Sequence, residues 1–242
     1  TVTALTGFDV VWTGEVGDDW DTAINWSPAS VPTVLDNVLI PSVPNLPRLT
    51  GTSTVTDLTL ETNASLSLAD GAALIVNGNL DVESFAAIES EGASFIQMTG
   101  TGVTMRGEIN PVILISGSVG LIGNVITEGD VSVAGVGASL NVTDFQMIID
   151  GAFVTSGEGV LQMTGSVSSA LIVGDAIGFT GGSTEGLLTS GTIRARGDFV
   201  VGGPSTTAFA PTGLHSVVFE GTAGQTVSFA SPAPDQQRFA LV

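Results

Sequence analysis

The chain contains one histidine, His215, and it adjoins Ser216. A Ser–His–acid triad needs the hydroxyl within reach of the imidazole. Neighbours on a strand point to opposite faces, and no Gly-x-Ser-x-Gly turn is present. His215 is therefore expected in a turn or at the surface, outside any triad. Asp81 with Glu83, and Glu89 with Glu91, are carboxylate pairs of strand spacing. Such pairs run glycoside hydrolysis when held roughly 5 to 10 Å apart. Nothing in the sequence selects one pair. Arg194 and Arg196 stand two apart and should share a strand face, paired with surface acids. Arg196-Gly197-Asp198 spells an adhesive tripeptide, a match of only three residues.

Metal chemistry narrows to oxygen ligands. A single His and no Cys exclude His-rich zinc, thiolate sites and disulfides. Asp18, Asp19 and Asp21 form the densest acidic set, and Glu128 and Asp130 flank Gly129. Structural calcium is the ion these would take, although neither set matches an EF-hand loop. Trp12, Trp20 and Trp26, the only tryptophans, have two readings. Their flat faces could bind glycans by stacking, or their rings could close a hydrophobic end. The second reading is favoured.

The composition limits the partners. Of 242 residues, 24 are acidic and 5 are basic, giving a net charge of −19, and no Lys is present. Nucleic acids and anionic membranes need cations that this chain lacks. Hydrophobic residues make up 43% and mean hydropathy is +0.46, so there is enough apolar surface for a core. Ile109–Thr127 is free of charge, but Pro111, Gly117, Gly120 and Gly123 interrupt it. Alternating strands are expected there, and no membrane span.

The elements that would position these residues are short strands. Leu58-Thr59-Leu60, Leu66-Ser67-Leu68 and Leu80-Asp81-Val82 alternate with period two, with Gly, Asn, Asp and Ser between them. No helical stripe with cap and stop signals is present. Phe95-Ile96-Gln97-Met98-Thr99-Gly100 returns as Val160-Leu161-Gln162-Met163-Thr164-Gly165 and, more loosely, as Val217-Val218-Phe219-Glu220-Gly221. Repeated strands without helices predict a solenoid. The expected fold is all-β, a parallel β-helix or β-solenoid with a Trp-containing N-terminal cap; an antiparallel β-sandwich is the alternative. Residues 1–47 read as the cap and 48–242 as about three units of ~60 residues, each holding about three coils.

Thr1 has no basic or apolar leader behind it, so either a targeting segment has been removed or the chain is a fragment. Gln237–Val242 end on an apolar strand pattern without a polar cap. That edge is suited to strand addition by further chain or by a partner.

Val11-Trp12-Thr13-Gly14 through Trp26-Ser27, followed by Val31-Pro32-Thr33 through Ile40-Pro41, resembles the opening of large bacterial surface and secreted proteins. Those are the parallel β-helix repeat proteins of the autotransporter and adhesin type. His215–Phe229 is similar to a coil that recurs in them. The resemblance implies a β-helix and an exported location, and it carries no catalytic residue.

The expected function is that of a non-catalytic extracytoplasmic module. It would be a scaffold, a fibre or surface component, or an extrinsic accessory subunit. Its partners would be other protein subunits, a membrane protein complex or further copies of itself. A carbohydrate-binding or adhesin module using the tryptophans is the alternative, and a polysaccharide-active enzyme is third.

Overall fold

A computed structural model describes residues 7–239. Of the terminal pattern Gln237–Val242, the last three residues lie outside that range. The chain leads in through β1 (Val10–Trp12), a 3-10 turn (Ala23–Asn25) and β2 (Trp26–Ser27). Coil one comprises β3 (Val38–Ile40), β4 (Arg48–Leu49) and β5 (Thr52–Val55). Coil two has β6 (Leu58–Leu60), β7 (Ser65–Leu68) and β8 (Ala73–Val76); coil three has β9 (Leu80–Val82), β10 (Ala87–Ser90) and β11 (Phe95–Met98). Coils four and five each use one long strand and one short one: β12 (Thr101–Ile109) with β13 (Val112–Ile115), and β14 (Ser118–Thr127) with β15 (Val131–Ala134). Three strands return in coil six as β16 (Ser139–Asn141), β17 (Gln146–Ile149) and β18 (Phe153–Ser156). Coil seven has β19 (Val160–Gln162), β20 (Ala170–Val173) and β21 (Ile177–Phe179). Then come β22 (Thr192–Ala195) with β23 (Phe199–Val201), and last β24 (Ser216–Phe219) with β25 (Val227–Phe229).

Every strand pair is parallel except β1 with β2, so the fold is a β-solenoid and the antiparallel sandwich is excluded. Three faces run along it. The first climbs from β1 through β3, β6 and β9 to the front of β12 and β14, then β16 and β19. The second climbs from β4 through β7, β10 and the far ends of β12 and β14 to β17, β20, β22 and β24. The third is a separate nine-stranded sheet from β5 to β25, whose nine rungs make about eight turns. At about 4.8 Å per rung, those turns span roughly 40 Å.

The alternation predicts which residues face inward. Val55, Leu58, Leu60, Leu66, Leu68, Leu74, Val76 and Leu80 are all buried, and the residues that alternate with them within the strands are not, save Ala73. Ile109–Thr127 forms strands, and among the described residues no helix is long and apolar enough to cross a membrane. Parallel pairing already joins β1 to β3 within the first 47 residues.

On the third face the coil length varies: 21 residues from Thr52 to Ala73, 17 from Phe95 to Val112, 24 from Phe153 to Ile177 and 28 from Phe199 to Val227. The short coils are those in which β12 and β14 pass from the first face to the second without a turn. The three sequence repeats lie on three different faces: Phe95–Met98 on the third, Val160–Gln162 on the first and Ser216–Phe219 on the second. What repeats in the sequence is a strand and its turn.

Candidate functional site

The tryptophans close the first end of the core. Trp12 and Trp20 are fully buried, Trp26 is 2% exposed, and Trp26 meets both others edge to face with centroids 4.8 and 4.7 Å away. The Trp12 indole donates to the Asn45 carbonyl at 2.6 Å, and that of Trp26 to the Trp20 carbonyl at 2.8 Å. Stacking on a sugar needs an exposed ring face, and none of the three offers one. The glycan-binding assignment to Trp12, Trp20 and Trp26 therefore fails on burial.

Asp18, Asp19 and Asp21 are not brought together as a cation cage. Asp19 accepts from the Thr22 hydroxyl at 2.6 Å and the Asp21 N–H at 3.2 Å, which braces its own turn. Among the described residues, no three His, Cys, Asp or Glu side chains converge as a metal set. Asp130, beside Glu128 in the sequence, accepts the Ala152 N–H at 2.8 Å from the next coil.

Asp130 belongs to a wider pattern. Turn carboxylates and amides accept backbone N–H groups from the coil above: Asp9 from Asn37 (2.9 Å), Asp57 from Asn79 (2.6 Å), Asn79 from Thr104 (2.9 Å) and Asp70 from Ala93 (2.8 Å). Stacked turns leave donors that their strands do not satisfy, and short Asp and Asn side chains reach them.

The other candidates are held in the same way. Asp81 pairs with Arg106. Glu83 accepts from the Thr62 N–H and hydroxyl at 3.0 and 2.9 Å. Glu89 accepts from the Asn110 amide at 3.0 Å. Glu91 takes Arg48 at 2.6 Å and the Ser67 hydroxyl at 2.5 Å; the Arg48 hydrogen bonds, and then Ser67, hold its carboxyl down at about 2. Arg194 and Arg196 share a face, as their spacing predicts, and both bind Glu220 at 3.0 and 3.2 Å. Hydrogen bonding from Arg194 leads in lowering the Glu220 pKa. In the adhesive tripeptide, Asp198 accepts the Thr226 N–H at 2.7 Å. Both its charged side chains are thus engaged inside the fold.

His215 closes a turn, its N–H donating to the Thr212 carbonyl at 3.4 Å, but it is not at the surface: the side chain is buried and only 2% exposed. Its Nδ1 lies 2.9 Å from the Ser190 carbonyl, so the proton sits there, and Nε2 is enclosed without a partner. Burial pushes its pKa down. Ser216 points the other way and meets the Thr192 hydroxyl at 2.9 Å. No triad forms.

The opposite end of the solenoid is different. Phe179, Phe199, Phe209, Phe229 and Phe239 form a run of rings with neighbouring centroids 4.9 to 6.5 Å apart. Exposure grows along it: Phe179, Phe199 and Phe209 are enclosed, whereas Phe239 is 36% exposed, as is Phe219 at 39%, whose ring lies against Phe199 and Phe239. Val218 and Val227 are exposed beside them, on β24 and β25, which have no strand on their outer edges among the described residues.

A family model described as a domain of unknown function (DUF8693) matches residues 11–112, less than half of the chain. That stretch covers the tryptophan end and the first coils. No curated protein and no solved structure matches the chain.

Proposed function

We propose that this chain is a non-catalytic structural or interaction module of an extracytoplasmic bacterial protein, docking on another protein subunit, a further copy of itself, through β24 and β25. One observation carries the reading. The candidate side chains Asp81, Glu83, Glu89 and Glu91 are bonded to neighbouring coils, while among the described residues β24 and β25 have no strand on their outer edges, beside half-exposed rings. Free edges accept further strands, and exposed core residues gain by being covered. The export reading is supported by composition, with no Cys and few basic residues.

Light scattering on the eluting particle tests this. A mass well above 24.4 kDa is expected, returning to that of one chain on Val218→Lys, because an edge lysine opposes strand addition. A single-chain mass at every concentration overturns self-docking. Polysaccharide cleavage abolished by one carboxylate substitution overturns the non-catalytic reading.

A further inference from the structure

Coils two and three turn from the first face to the second with one pattern. It reads Glu61-Thr62-Asn63-Ala64 in one and Glu83-Ser84-Phe85-Ala86 in the other. In both, the alanine N–H donates to the glutamate carbonyl, at 2.8 and 3.0 Å. In both, the third residue is left-handed, with φ 63° at Asn63 and 61° at Phe85. Coil six places Asp144 in the same region, at φ 67°. Asn and Asp tolerate this conformation; a bulky ring does not. Phe85 is also 88% exposed, the most exposed of the large apolar side chains described. Its ring covers no core to compensate.

The corner beside it has a hollow. β12 and β14 cross here without a turn, and their register shifts between Met105 and Gly107. Gly107 and Gly123 keep the floor low; a Cβ on Gly123 would sit 3.0 Å from that of Arg106. The Phe85 turn stands beside this floor as a wall. The hollow measures about 300 Å³, and its lining includes Glu83, Phe85, Arg106, Glu108, Asn124 and Ile126. Arg106 is already held by Asp81, with Nη2 to Oδ2 at 2.9 Å. Glu83 accepts only neutral donors, and Glu108 has a 3.4 Å contact from the Asn110 amide. Two carboxylates that make no ion pair among the described residues therefore flank an exposed ring, in a hollow whose one guanidinium, Arg106, is bonded to Asp81.

We propose that this hollow receives a lysine or arginine side chain of a basic partner protein, with the Phe85 ring against the cation and Glu83 and Glu108 beside it. An aromatic face attracts cations, and the carboxylates complement the charge. A partner rich in Lys or Arg suits the hollow better than a second copy of this chain, which has no Lys and whose one Arg without an ion pair among the described residues, Arg238, donates to the Gln236 carbonyl at 3.2 Å. The site lies on coils three to five, away from the last coil, so it stands whether or not that end docks.

The test is an amide NMR titration at 150 mM salt with the peptide acetyl-Gly-Lys-Leu-Lys-Gly-amide, its Glu-for-Lys counterpart, and maltotriose. The lysine peptide is expected to move the amides of Phe85, Gly107 and Gly123, and the glutamate peptide to move none. Phe85→Asn copies coil two, so it should fold and melt at or above the parent while binding about 2- to 5-fold more weakly, the range of an exposed cation–π contact. Glu108→Gln should weaken binding as well. Lack of binding overturns the proposal. So do shifts scattered over the acidic surface and unchanged by Phe85→Asn, which mark non-specific attraction. Shifts at these amides with maltotriose alone, lost in Phe85→Asn, overturn it in favour of a sugar site.

Discussion

The buried imidazole of His215 makes stability depend on pH in one direction. With Nδ1 donating to Ser190 and Nε2 enclosed, a second proton would have no acceptor. The folded pKa is lowered, so the unfolded chain binds the proton first as pH falls. Stability is therefore fully present above the unfolded pKa of about 6.5 and declines below it, by at most about 1.4 kcal/mol per pH unit. Urea denaturation at pH 7.5 and 5.5 should show that decline, and His215→Leu should flatten it. An unchanged slope in the variant would assign the decline to other groups. Glu91 acts in a lower window: its carboxyl, held near 2, adds stability above its usual range that is lost as pH falls towards 2. Strand alternation made the opposed directions of His215 and Ser216 legible in the sequence. It did not reveal which of the two faced the core. Phe85 left a legible trace too, since aligning its turn with Glu61–Ala64 puts an aromatic where asparagine belongs.

The strand rhythm was readable because period-two burial repeats in nearly every coil. The number of faces was not, because a strand and its turn look alike wherever they fall on the triangle. Two local copies, Phe95–Met98 and Val160–Gln162, consequently share a sequence and occupy different faces. The ladder between coils was hidden for a related reason: its Asp and Asn acceptors resemble ordinary turn residues until the turns stack. Stacking also sets which glycines matter. A Cβ on Gly129 would meet the Pro111 carbonyl oxygen at 2.7 Å and its carbon at 2.8 Å, and backbone cannot step aside as a side chain can. Gly120, in β14, has nothing within 4 Å of that position. Gly129→Ala should therefore cost about 1–3 kcal/mol, as overpacking does. Gly120→Ala should stay within about 0.5 kcal/mol. Denaturant midpoints for the two variants measure the contrast, and equal costs would show that the turns stack more loosely than this.

At the scale of the molecule, the excess of one charge sign dominates. The described solenoid carries four ion pairs, against a formal charge of −19 for the chain. Carboxylates on the surface repel those of a neighbouring molecule, which disfavours lateral packing. The same repulsion acts within one chain. Exposed ion pairs contribute little and are themselves screened, so salt removes more repulsion than attraction. The melting temperature should thus rise between 10 and 300 mM sodium chloride; a fall would mean that the four pairs outweigh the excess charge. Calcium supplies a sharper version of the same experiment. With Asp18, Asp19 and Asp21 held apart from any converging set, calcium and magnesium chloride at equal ionic strength should raise the melting temperature equally. Both act as screening ions in that case. A larger rise with calcium would require oxygen ligands that adjust to its larger, irregular shell, and would return a specific site to the acidic surface.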